Sequence, residues 1–150
     1  MIDIDFLQYQ SLLRIRKEGE QRYLFDPIRK NWLVLQPEEL VRQLVLQYLL
    51  TEKAYLSTHI KTETGIKVHE MAKRCDIVVF DRSVQPYLLV ECKSPKVKLG
   101  ESAIWQAVNY NRVLGAQYLL VTNGLKTWCC KIDYEDGQHQ FLDTIPEFAG

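Results

Sequence analysis

No stretch of this 150-residue chain approaches the roughly 18 apolar residues needed to cross a bilayer as a helix. Nor is there an excess of either charge. Nineteen Lys and Arg offset nineteen Asp and Glu. A strongly basic chain would point to nucleic acid or a membrane surface through its overall field; here any basic surface must be local. The N-terminus, MIDIDFLQYQ, carries acids where a signal peptide needs a basic region, so a cytoplasmic protein with no membrane partner is expected. The four cysteines, Cys75, Cys92, Cys129 and Cys130, form no Cys-x-x-Cys pair, which argues against a zinc or redox site. They read as reduced, buried packing residues, with Cys129 and Cys130 facing opposite sides of a strand. His59, His69 and His139 are scattered without metal-ligand spacing. No Gly-x-x-x-x-Gly-Lys-Ser/Thr occurs, which excludes that phosphate-binding loop and with it a nucleotide cofactor of that kind. Repeats and low-complexity tracts are absent as well.

What is present suits one domain with a real core: 47% hydrophobic and 25% charged residues. Residues 1–31 are mixed and charged, with Gly19 and Pro27 as breakers, and read as an irregular or short extended arm leading to a small strand at 32–35. Pro37 suits the first position of a helix, where its missing N–H costs nothing, and Glu38 and Glu39 suit the positive end of the helix dipole. Leu40, Val41, Leu44, Val45, Tyr48 and Leu49 recur at helical spacing, so the helix should reach 51–53. A weak strand is expected at 66–69 and strong ones at 75–81 and 87–93, the latter two joined by SVQP as an antiparallel hairpin. A second helix is expected at 101–114, burying Ile104, Ala107, Val108 and Leu114 and capped by Gly115. Strands follow at 117–122, 127–133 and near 140–142, with Asp136-Gly137 as a tight turn. Trp32, Trp105 and Trp128 read as core residues. The order implies an α/β protein with a central mixed sheet flanked by helices, organised as an arm (1–31) and a single domain (32–150).

One short run stands out. LLVECKSP drives an apolar strand into an acid and a base. Alternate side chains of a strand share a face, so Leu89, Glu91 and Lys93 point one way and Leu88, Val90 and Cys92 the other. Alone, Glu91 and Lys93 read as a surface ion pair worth about 0–1 kcal/mol. In an antiparallel hairpin, however, the start of one strand lies beside the end of the next, which brings Asp76 near both. Two carboxylates and a lysine at one end of a sheet suit a hard divalent cation such as Mg²⁺, with Asp76, Glu91 and the Cys92 backbone carbonyl as oxygen ligands. A metal-bound water becomes a nucleophile near neutral pH, and Lys93 could orient it or stabilise charge on phosphorus. A purely structural network of ion pairs is the competing reading.

These residues resemble the Asp…Glu-x-Lys signature of the PD-(D/E)XK nuclease superfamily, with fourteen residues between Asp76 and Glu91-Cys92-Lys93. Gln106 and Tyr110 match the Gln-x-x-x-Tyr element of the N-terminal nuclease domain of type I restriction enzyme R subunits. PEELVRQ resembles the first-helix element of that family, where Glu39 or Glu38 would be its acid. The resemblance runs over about residues 32–132. It implies a restriction-endonuclease-like fold and Mg²⁺- or Mn²⁺-dependent hydrolysis of DNA. Asp76 and Glu91 would be metal ligands, joined by Glu39 or Glu38. Lys93 would be catalytic, and Gln106 and Tyr110 would support the site or the DNA. Glu63 matches a further acid of the family. Lys73, Arg74, Lys96 and Lys98 flank the site and would grip phosphates, or else belong to solvated loops. SVQP departs from the Gly-containing turn usual before the family's second strand. The motor of an R subunit is not found in these residues, so a free-standing nuclease-fold domain is expected, with DNA and a protein partner or second copy as binding partners. The alternative is an inactive module of the same fold that binds nucleic acid or a partner protein.

Overall fold

The computed structural model describes residues 1–68 and 71–148, with backbone alone for 63–68 and 71–75. A six-stranded mixed sheet forms its centre, made of β4 (Ile60–Val68), β5 (Met71–Phe80), β6 (Pro86–Cys92), β7 (Tyr118–Thr122), β8 (Thr127–Ile132) and β9 (His139–Phe141), hydrogen-bonded in that order. Only β6 and β7 are parallel. A parallel pair needs a crossover, and helix α2 (Glu101–Leu114) supplies it. Gly115, at φ 79°, ends that helix in the left-handed conformation that glycine adopts without strain. Helix α1 (Pro37–Thr51) precedes the sheet.

The strand alternation expected from LLVEC is observed, and it creates two cores. Leu88, Val90 and Cys92 pack with Ile77, Val79 and Cys129 against Val41, Leu44, Val45 and Leu49 of α1. Leu89 packs with Val78, Leu119, Val121 and Cys130 against Ile104, Ala107 and Val108 of α2. Each helix thus covers one face of the sheet. Cys129 and Cys130 fall on opposite faces, and Cys92, Cys129 and Cys130 are free and buried. The side chain of Cys75 and all of His69 lie outside the described residues. At Gly124 (φ 87°) a Cβ would come within 3.3 Å of Val41, so the β7–β8 turn lies close against α1. No helix among the described residues is long and apolar enough to cross a membrane.

Three local expectations need correction. The weak strand expected at 66–69 is, over 66–68, part of a strand that already begins at Ile60 and pairs with β5, residue 69 lying outside the described residues. It lies at the sheet edge, where one neighbour suffices and polar residues such as Lys61 and Thr62 obscure the pattern. Residues 1–31 are more than an irregular or short extended arm. After a 3₁₀ turn at Phe6–Leu12, strands β1 (Ile15–Glu18), β2 (Gln21–Asp26) and β3 (Asn31–Val34) form an antiparallel meander. The breakers Gly19 and Pro27 sit in its two turns. Of the tryptophans, Trp105 is 47% exposed and Trp32 and Trp128 are only half-buried.

Asp26, fully buried at the end of β2, ties the meander to the main domain. Its Oδ1 accepts the N–H groups of Ile28 and Arg29, and its Oδ2 accepts the Thr62 hydroxyl of β4 at 3.0 Å. Burial opposes the charge, but the backbone donors of Arg29 and Ile28, with Thr62 and Gln43, outweigh it and hold the carboxyl below its ordinary range. Asp26→Ala should therefore lower the stability measured by urea unfolding at pH 7 by about 2–4 kcal/mol, by stranding buried donors. Because the folded-state pKa is depressed, the wild-type advantage is complete above the unfolded value near 4. It should shrink as pH falls through the lower folded value.

Candidate active site

The site lies where α1 begins and the β5–β6 hairpin ends. The hairpin register sets Ile77 against Val90. One residue further, Asp76 reaches the end of β6, where its Oδ2 accepts the Cys92 N–H at 2.6 Å. Glu91 and Lys93 flank that amide, and the Lys93 Nζ lies 3.1 Å from Glu91 Oε1. The N-terminal turn of α1 closes the other side. The result is a pocket of about 270 Å³ lined by Asp76, Glu91 and Lys93 from the hairpin and by Gln36, Glu38, Glu39 and Arg42 from the head of α1.

Arg42 organises the helical side. Its side chain is almost wholly buried, and a buried guanidinium must be paired. It donates to both carboxylate oxygens of Glu39, the Nε contact being 2.8 Å. Its Nη1 lies 3.9 Å from Asp76 Oδ1. Gln43 donates to the same Glu39 at 3.2 Å. The two candidate acids of the first helix thereby part company. Glu39 is locked by Arg42 and Gln43, whereas Glu38 is exposed and adds negative potential at Asp76.

The pocket holds four carboxylates against two cations. Asp76 registers the imbalance. Burial, then Glu38 and Glu91, push its carboxyl up to about 7, against the opposing pull of the Cys92 amide and Arg42. Lys93 responds in the opposite sense. Partial burial works against its ammonium, but Glu91, Glu38 and Asp76 outweigh that and raise its pKa, so it stays charged at neutral pH.

Not every candidate joins this pocket. Gln106 and Tyr110 lie one turn apart on α2, where the Gln106 amide donates to the Tyr110 hydroxyl at 3.0 Å, and neither lines the pocket. Lys96 and Lys98 are exposed on the loop after β6, and Lys98 lines a separate hollow with Lys126. The side chains of Glu63, Lys73 and Arg74 lie outside the described residues. Among the described residues, no three His, Cys, Asp or Glu side chains form a ready-made metal cage. Sequence reasoning missed Gln36 and Gln43, and for Arg42, four residues after Glu38, it left open a helix-surface ion pair or a prop for the acidic site. The signal was present: Arg42 and Gln43 fall inside the apolar run of α1 and are as buried as its leucines. It also missed Asn123, whose side chain donates to Val97 O at 2.9 Å and ties down the loop after Lys93.

The sequence model for the type I restriction enzyme R protein N terminus matches residues 37–146, well over half of the chain, and the chain belongs to that family. Among solved structures it resembles a fragment described as an HsdR subunit of a type I restriction enzyme from Vibrio vulnificus YJ016. The TM-score is 0.53 at 21% identity, over 75% of this chain and 24% of the other. The shared fold is thus restriction-endonuclease-like, and this chain spans about a quarter of that relative. No curated protein matches.

A carboxyl forced upward by burial and like charges is a cost to the empty fold. In a chelator at pH 8, Asp76→Asn should raise stability by on the order of 2–4 kcal/mol, since Asn keeps the acceptor for the Cys92 amide. The folded-state pKa of Asp76 is raised, so its stabilising effect is full below the unfolded value near 4 and is lost as pH rises through about 7. Thermal melts of both proteins from pH 4 to 8 should therefore diverge with rising pH.

Proposed function

We propose that this member of the R protein N-terminal family is a divalent-metal-dependent nuclease domain of the PD-(D/E)XK type that hydrolyses DNA phosphodiesters. The observation that carries this reading is the charge balance of the pocket: four carboxylates, two cations and a carboxyl held near 7. The donor set fits Mg²⁺ or Mn²⁺. It is all oxygen, and Mg²⁺ commonly takes one or two carboxylates and keeps several waters, so a three-acid cage is not required. Asp76 and Glu91 would hold the ion, with the Cys92 carbonyl as a further oxygen. Glu38 is the better third acid, because Glu39 is already committed to Arg42 and Gln43. Such an ion, when bound, lowers the pKa of a ligating water and offsets charge on a phosphate oxygen.

The chain's own groups do the rest. The Cys92 N–H fixes one oxygen of Asp76 and leaves the other facing Arg42 and the pocket. Lys93, kept as an ammonium, is unsuited to remove a proton at neutral pH. It is suited to donate hydrogen bonds to an attacking water or to the phosphate as negative charge builds there. Arg42 restrains Glu39 and moderates the field at Asp76. Gln106 and Tyr110, paired on α2, would contact DNA or brace the fold from outside the pocket.

Supercoiled plasmid incubated with Mg²⁺ or Mn²⁺ should be nicked, and Asp76→Ala, Glu91→Ala and Lys93→Ala should each cut the rate by about 100-fold or more, the scale of losing a group that acts on transition-state charge. Nicking that survives these changes would remove this site. A second reading, binding without turnover, draws on the 3.1 Å Glu91–Lys93 pair, which occupies both groups. Calorimetric titration separates the two: the nuclease reading requires Mn²⁺ binding that disappears in Glu91→Ala.

A further inference from the structure

We infer that the outer face of the N-terminal meander is a binding platform for single-stranded nucleic acid. This surface precedes the stretch matched by the family, which starts at residue 37. The meander has two unlike faces. Leu24 and Asp26 are fully buried on the inner one. On the outer one the register sets Arg16 opposite Tyr23 and Phe25 opposite Trp32. Arg14 follows the same side, its carbonyl accepting the Phe25 N–H.

The rings and guanidinium groups interleave. Arg14 lies 4.3 Å from the Phe25 centroid and 5.4 Å from that of Trp32. Arg16 lies 4.5 Å from Trp32 and 6.0 Å from Tyr23. Phe25 meets Trp32 edge to face at 5.3 Å. The three rings are half-buried and the two arginines exposed, so the layer is solvent-facing. A guanidinium stacked on a ring keeps its N–H groups free to reach a phosphate in its own plane, and its outer surface can take a base. One acid competes: Glu18 lies 3.1 Å from Arg16 at an exposed position, a weak pair that salt or phosphate can displace.

Charge identifies the occupant. Of the six Lys and Arg in residues 14–30, the strand register puts Arg14 and Arg16 on this outer face, with Glu18 as its one acid, within a chain of zero net charge. A local basic patch interleaved with aromatic rings matches a phosphate chain with unstacked bases, the pattern by which sheet faces hold single strands. A duplex hides its bases and could use only the charge. The platform also leads to the pocket. Trp32 precedes Gln36, at the pocket rim, by four residues, at most about 13 Å of extended chain. Binding here needs neither metal nor hydrolysis, so it stands or falls apart from the nuclease reading.

Fluorescence anisotropy of the full chain with a labelled oligo-dT, in chelator, tests it. Wild type should bind without any divalent ion present. The Arg14→Gln/Arg16→Gln double variant should bind at least about tenfold more weakly, and its plot of log affinity against log salt should be shallower by roughly 1.4, two phosphate contacts' worth. Trp32→Ala should lose about fivefold or more with the slope unchanged, the mark of a lost stack. Trp32→Phe, which keeps a ring, should restore most of the affinity. Circular dichroism melts establish that each variant is folded. No binding by wild type, an unchanged salt slope in the folded arginine variant, or tighter binding of the matching duplex would overturn the inference.

Discussion

A buried guanidinium has to be neutralised, and the way Arg42 is neutralised shapes the acidic pocket. Its side chain sits under the first turns of α1, where water cannot solvate it. Glu39 takes both ends of its fork, and Asp76 lies at the edge of its reach. The pairing docks the head of α1 onto the end of the β5–β6 hairpin. It also spends one carboxylate of the four and leaves Glu38, Asp76 and Glu91 to share the remaining cation, Lys93. The unbalanced charge that makes the pocket suited to a divalent ion is thus a by-product of how the helix is anchored.

The anchoring continues inward through polar groups. The Gln43 amide donates to Glu39 and also supports Asp26, which in turn holds the backbone at Ile28 and Arg29 and the hydroxyl of Thr62. The meander, the first helix and the sheet edge are therefore joined by one buried series of hydrogen bonds that ends at the pocket. Residues 1–36, although outside the stretch matched by the family, are part of the scaffold that sets the geometry of α1.

Much of this was legible in the residues. The two helices, the hairpin, the opposed Cys129 and Cys130 and the convergence of Asp76 with Glu91 and Lys93 follow from periodicity, capping and pleat, which are local rules. The meander was not legible, because Gly19 and Pro27 break a chain equally well as loop residues or as hairpin turns, and only pairing partners decide which. Gln106 and Tyr110 share a helical face as their spacing requires, yet spacing could not tell that they would pair with each other rather than line the pocket.

The sequence by itself determined the alternation that sends Leu88 and Val90 to one core and Leu89 to the other, the limits of α1 and α2, and the polar groups available at the hairpin end. Only the tertiary structure decided which acid of α1 is locked and which is open, that Arg42 and Gln43 are interior, and that Arg14 and Arg16 lie over the rings of Tyr23, Phe25 and Trp32. The reason is physical. Local propensity depends on neighbours a few residues away, whereas burial of a charge and stacking of a cation depend on what other strands and helices bring alongside.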